Sequence, residues 1–168
     1  DALTVAAKEW REYLFSGAGL RGGRVGLAVM LLVFGVLLPA QNGISWITSP
    51  ILLAVWSWVP LMLVAGVVAD SFAGERERHT LETLLASRLP DAAIYAGKLA
   101  AAAGYGWGFT LSMAVVSLVS VNLIHWQGRV IFYPATTVVG LPLFSLLTSL
   151  LAASAGVLVS LRAPTARQ

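Results

Sequence analysis

Four runs without a charged residue alternate with short polar stretches along the chain: Val25 to Ala40, Ile51 to Ala69, Leu99 to Ile124 and Ala135 to Leu161. A hydrocarbon core about 30 Å thick is crossed by roughly 20 helical residues, because each residue advances a helix by about 1.5 Å. The last three runs meet that length. The first is shorter and must borrow from Gly22 to Arg24 or from Gln41 to Ile44, beside a predicted Asn42-Gly43 turn. The runs are apolar all round, where a barrel strand would alternate polar and apolar residues, so helices are predicted in preference to a barrel. The expected fold is an all-α membrane protein, a polytopic helical bundle with four transmembrane helices at 22–44, 51–69, 99–124 and 135–161.

The polar stretches predict the remaining parts. Leu3, Ala6, Ala7, Trp10 and Leu14 recur at helical spacing, with Lys8, Glu9, Arg11 and Glu12 elsewhere on the wheel. This is the pattern of an amphipathic interfacial helix over 1–16. Of the 11 basic residues, only Arg129 falls in a loop on the side opposite the termini, and the others flank the runs on the terminal side. By the positive-inside rule both termini, the 70–98 segment and the 162–168 tail are cytoplasmic and the 125–134 loop is external. Trp10 on one side, and Trp46, Trp126, Phe132 and Tyr133 on the other, are expected at the membrane interfaces, where amphipathic rings concentrate.

Composition agrees. The chain has 58% hydrophobic and 11% charged residues, whereas soluble domains have about 25% charged. Its mean hydropathy is +0.81. Absence of cysteine removes disulfides, thiolate metal sites and thiol catalysis. The chain opens on Asp1 and shows no basic-then-apolar leader, which is the expectation for a trimmed or partial chain.

One polar stretch stands apart, Gly74 to Pro90, GERERHTLETLLASRLP. Thr80 is placed as an N-cap, with Glu82 in the first turn where the helix dipole favours an anion. Leu81, Leu84 and Leu85 share a face, and Pro90 ends the helix. Glu75, Arg76, Glu77 and Arg78 alternate in sign just upstream. Charge alone would suit a solvated loop. The leucine face in addition demands burial against headgroups or another protein.

Over Ala73 to Lys98 the chain resembles the permeases of ABC-2 type ABC transporters. The matching positions are Gly74, Glu75, Glu77, Thr80, Leu81, Glu82, Leu84, Leu85, Pro90, Ile94, Gly97 and Lys98, in the family's order and spacing. His79 replaces a common Gly, and Asp91 a common Ser or Thr. The resemblance implies the N-terminal portion of a six-span membrane subunit in a bacterial inner membrane, paired with a second permease copy or paralogue. It implies that 70–98 is a coupling segment seated on a separate ABC ATPase subunit, with Glu75, Glu77, Thr80, Leu81, Glu82, Leu84 and Leu85 at the contact. ATP and Mg would then belong to that partner, with no cofactor in this chain.

Candidate chemistry is sparse. No Gly-x-x-x-x-Gly-Lys-Ser/Thr loop occurs, so ATP hydrolysis by this chain is not expected. His79 and His125 lack neighbours at metal-ligand spacing. A serine hydrolase would have to pair His125 with Ser112, Ser117 or Ser120, yet membrane serines mostly bond their own helix or a neighbouring one. The last three runs carry no Asp, Glu, His, Lys or Arg, which favours externally supplied energy over ion coupling. Ala100, Gly104 and Gly108 form a small-residue ridge suited to close helix packing or a dimer seam. Pro60 and Pro142 fall within spans. No nucleic-acid partner is expected. The competing class is a membrane scaffold that holds a cytoplasmic partner without transport.

Overall fold

The computed structural model describes residues 21–49, 51–77 and 91–162. The expected interfacial helix 1–16 with Trp10, and Thr80, Leu81, Glu82, Leu84 and Leu85, lie outside the described residues. Every regular element among the described residues is helical: α1 (Arg21–Leu32), a π-helical turn (Val33–Leu37), α2 (Leu38–Asn42), α3 (Ile44–Thr48), α4 (Ile51–Glu77), α5 (Asp91–Ile124) and α6 (Ala135–Arg162).

α1, the π turn and α2 run on without a break in helical structure, and the widening has a local cause. Pro39 has no N–H to give the Gly35 carbonyl four residues back, and its ring crowds that carbonyl. Just before it the ladder slips to a five-residue register, with the Leu38 N–H donating to the Val33 carbonyl. The rod ends where the Gly43 N–H caps the Pro39 carbonyl at 2.9 Å and Gly43 adopts φ 57°, a left-handed backbone that a side chain would strain. α3 follows at once and turns Trp46 and Ile47 into the core.

Three helices are long and apolar enough to cross a membrane: Val25–Asn42, Tyr95–Ile124 and Ala135–Val159. α4 is apolar over Ala54–Gly66. Large apolar side chains such as Leu123, Leu143, Leu147, Leu151 and Val159 remain exposed on the flanks of α5 and α6, as a lipid-facing surface requires. Pro60 and Pro142 lie inside α4 and α6.

The bundle has two differently built halves. Around the Gly43 turn the core is large: Trp46, Ile47, Trp56, Val59, Met113 and Val121. Phe34, Trp56 and Trp46 form a chain of ring contacts there, at 6.4 and 6.3 Å between centroids. The opposite half is built from Val64, Val68, Ala102, Ala103, Ala152, Ala153 and Val157. Small side chains let α4, α5 and α6 approach closely. A Cβ placed on Gly106 would lie 2.4 Å from Cγ2 of Val64 and 3.3 Å from Oγ of Ser149. One on Gly156 would lie 2.8 Å from Cγ1 of Val68, and one on Gly35 2.9 Å from Cγ1 of Val116.

Within the chain, the closely packed small residues are other than those of the expected ridge. Ala100 is exposed, and Gly108 has open space where a side chain would go. The contact falls two residues away, on Ala102 and Gly106, because the rotation of α5 about its axis turns that line into the bundle.

This difference is measurable. Gly106→Val is expected to destabilise the bundle by about 1–3 kcal/mol or more through overpacking against Val64, while Gly108→Val is neutral or slightly stabilising. Unfolding midpoints of the two variants in the same detergent compare them directly.

Candidate functional site

Two ends of the bundle carry the residues singled out by sequence. At one, α4 continues beyond its apolar stretch through Gly74 and Arg76 and ends at Glu77, so Glu75 and Glu77 occupy its last turns. α5 begins at Asp91, immediately after Pro90. The expected contact residues Thr80, Leu81, Glu82, Leu84 and Leu85 fall between these helices, outside the described residues.

Lys98 is the informative residue at this end. Sequence reasoning grouped it with the cations flanking the spans, yet it is only 4% exposed and follows a buried Gly97. A buried ammonium persists only when it is partnered, and Lys98 is not an orphan. The signal that could have found it was available, since Gly97-Lys98 closes the motif that opens with Gly74. A cation meant only for the membrane surface would sit at the rim instead.

The other end holds the Gly43 and Gly128 turns. Here two aromatic residues from different connections converge on one stretch of α5. Trp46, from α3, donates its indole N–H to the Ser117 hydroxyl at 2.7 Å. Tyr133, from the 125–134 loop, donates its hydroxyl to the Ala114 carbonyl at 3.0 Å. Burial pushes the Tyr133 phenol above its ordinary range, and a hydrogen bond with Ser117 draws it partly back. The expected aromatic belt is thus divided. Trp126 and Phe132 are exposed, whereas Trp46 is buried and Tyr133 partly so.

α5 is tied to the same loop by Asn122. Its amide nitrogen donates to the Leu118 carbonyl at 2.8 Å and to the Ile131 carbonyl at 2.9 Å, and its Oδ1 accepts from the Ile131 N–H at 2.7 Å. One side chain thereby satisfies both backbone groups of a residue with no regular partner. Across the bundle, Trp107 donates its indole N–H to the Pro142 carbonyl at 2.9 Å, joining α5 to α6 beside the proline.

The residues weighed for chemistry from the sequence stay apart among the described residues. His125 packs its ring over Gly43, within 3.3 Å of where a Cβ would stand. No described hydrogen bond joins it to Ser112, Ser117 or Ser120. Ser112 bonds the Gly108 carbonyl of its own helix at 2.8 Å, and Ser117 is engaged by Trp46. No three His, Asp or Glu side chains among the described residues gather as metal ligands. A cleft of ≈ 320 Å³ lies between α1 and α4, lined by Met30, Phe34, Val55, Trp58, Val59 and Met62. It is apolar apart from the Trp58 indole.

The Trp46–Ser117 bond is expected to matter more than the Tyr133 contact. Ser117→Ala strands a buried indole N–H and costs about 1–3 kcal/mol, whereas Tyr133→Phe costs about 0.5–1.5 kcal/mol because the Ala114 carbonyl keeps its helical donor. In a double-mutant cycle with Trp46→Phe, the thermal midpoints give a coupling near 1 kcal/mol for the Trp46–Ser117 pair and none for Trp46 with Ser112. Comparison of the chain with protein-family models, with curated proteins and with solved structures finds no match.

Proposed function

We propose that this chain is the membrane-spanning subunit of an ABC-2 type exporter, a permease that couples ATP hydrolysis on a separate ATPase chain to export across a bacterial inner membrane. In this reading α4 is the second of four spans, both termini are cytoplasmic, the Gly43 and Gly128 turns face outward, and a second permease copy or paralogue completes the path.

The observation that carries the reading is the Gly74 to Lys98 sequence motif, which lies between two packed helices in chain order. It joins α4 to α5, and these two helices meet α6 through the side-chain-free contact of Gly106 with Val64 beside Ser149. Interiors packed this tightly transmit displacement rather than absorb it. A push delivered to the segment between Glu77 and Asp91 would reach α4 and α5 together, and through them α6. The rod of α1 and the π turn packs on both, Phe34 against Trp56 and Gly35 against Val116. Leu81, Leu84 and Leu85 supply the apolar seat for the ATPase, and Glu75, Glu77 and Glu82 its polar rim.

Orientation is tested with the cysteine-free chain. Ser87→Cys and Gln127→Cys are expected to react with an impermeant maleimide from opposite faces of intact cells, Gln127→Cys from outside. Labelling of both from one face would overturn the four-span arrangement.

The functional assignment is tested by replacing Leu84 and Leu85 with Ala in the intact complex. Loss of a buried interface anchor costs about 2 kcal/mol or more, against far less for a rim charge. The variant is expected to insert normally, lose its ATPase on detergent purification, and lose transport-stimulated hydrolysis. Exchange of Glu75 and Glu77 for Gln is expected to weaken association at low salt more than at high salt, where screening has already removed the contribution. Full co-purification and stimulation in the leucine variant would show that the segment only lies on the membrane.

A further inference from the structure

The 125–134 loop holds its apolar side chains outward. Trp126 is 61% exposed, Val130 52% and Phe132 69%, and they continue the exposed surface of Leu123 and Ile124 at the end of α5. A loop free to rearrange in water would fold such side chains inward. This one is restrained from doing so, because Asn122 grips both backbone groups of Ile131 at 2.7 and 2.9 Å, and Tyr133 is anchored to Ala114 at 3.0 Å. Gly128, at φ 76°, turns the chain between the two restrained ends. Arg129 follows this turn, exposed, between Trp126 and Phe132, and the loop contains no Asp or Glu.

We propose that this loop is a preorganised bilayer anchor: Trp126 and Phe132 seat at the boundary between headgroups and acyl chains, and Arg129 binds the phosphate of an anionic phospholipid. Three features favour lipid as the occupant. The apolar patch is continuous with the membrane-facing flank of α5, so the surface that covers one covers the other. Indole and phenyl rings flanking a cation match the layered chemistry of the interface, apolar below and anionic above. A guanidinium offers a planar fork of donors that matches phosphate geometry, and the loop has no carboxylate to compete for it. Ordering costs are small because the hydrogen bonds to α5 have already fixed the backbone. The inference depends on the chain's membrane character and not on its transport role.

The chain has no cysteine, so single labels report cleanly. The full chain carrying Phe132→Cys or Trp126→Cys, modified with a nitroxide, is reconstituted into vesicles of phosphatidylcholine alone or mixed with phosphatidylglycerol. Spin relaxation by oxygen, which partitions into lipid, is compared with relaxation by a water-soluble nickel chelate. Both labels are expected to favour oxygen, to sit deeper when phosphatidylglycerol is present, and to lose that headgroup dependence on Arg129→Gln. A label that favours the chelate overturns the anchor. One shielded from both reagents assigns the patch to a second copy or a protein partner instead. Depth that ignores both headgroup and Arg129→Gln overturns the phosphate contact.

Discussion

Helices in a hydrocarbon solvent gain nothing from hiding apolar side chains from one another, since lipid is as apolar as leucine. What holds them is contact area and hydrogen bonding, and both require the backbones to come close. Here the requirement is met at glycine. Gly106 admits Val64, Gly156 admits Val68, and Gly35 admits Val116, each at a separation that a Cβ would violate. Alanines at 102, 103, 152 and 153 fill the space between. The rest of the bundle follows from these crossings. They set the rotation of α5, and that rotation decides which of its residues meet Trp46, Tyr133 and Trp107.

Hydrogen bonding takes over where the chain leaves helical geometry. The connections at the loop end bring backbone groups without helical partners into a low-polarity setting, where each unsatisfied group is costly. Asn122 answers for Ile131, the Pro39 carbonyl takes the Gly43 N–H, and the Ser117 hydroxyl takes the Trp46 indole. These bonds give this end a shape the sequence alone does not suggest. Two aromatic rings turn inward as seals, and two others, with Arg129 between them, are held outward.

At the opposite end one helix stops and the next starts among charged residues of the sequence. α4 carries its backbone through the acidic and basic residues up to Glu77, and α5 resumes at Asp91, so a short leucine-rich segment is strung between two helices that pack on a common third. Lys98 is buried just inside.

The helical class and the approximate limits of three long apolar helices were legible in the sequence, because length and continuity of hydrophobicity are local properties. The Asn42-Gly43 turn was legible for the same reason, since the left-handed backbone at Gly43 needs glycine whatever surrounds it. The facing of the helices was not. Runs that are apolar all round present no polar stripe to mark the outer side, so nothing local separates Gly106, which is packed, from Gly108, which is open. Trp46, Trp126, Phe132 and Tyr133 likewise share a chemistry that suits an interface, and only their distance from Ser117, Ala114 and Asn122 sorts them. Sequence by itself determined what each segment is. Tertiary structure decided which face of it is used, because in an apolar solvent that choice rests on steric fit between helices and not on hydrophobicity.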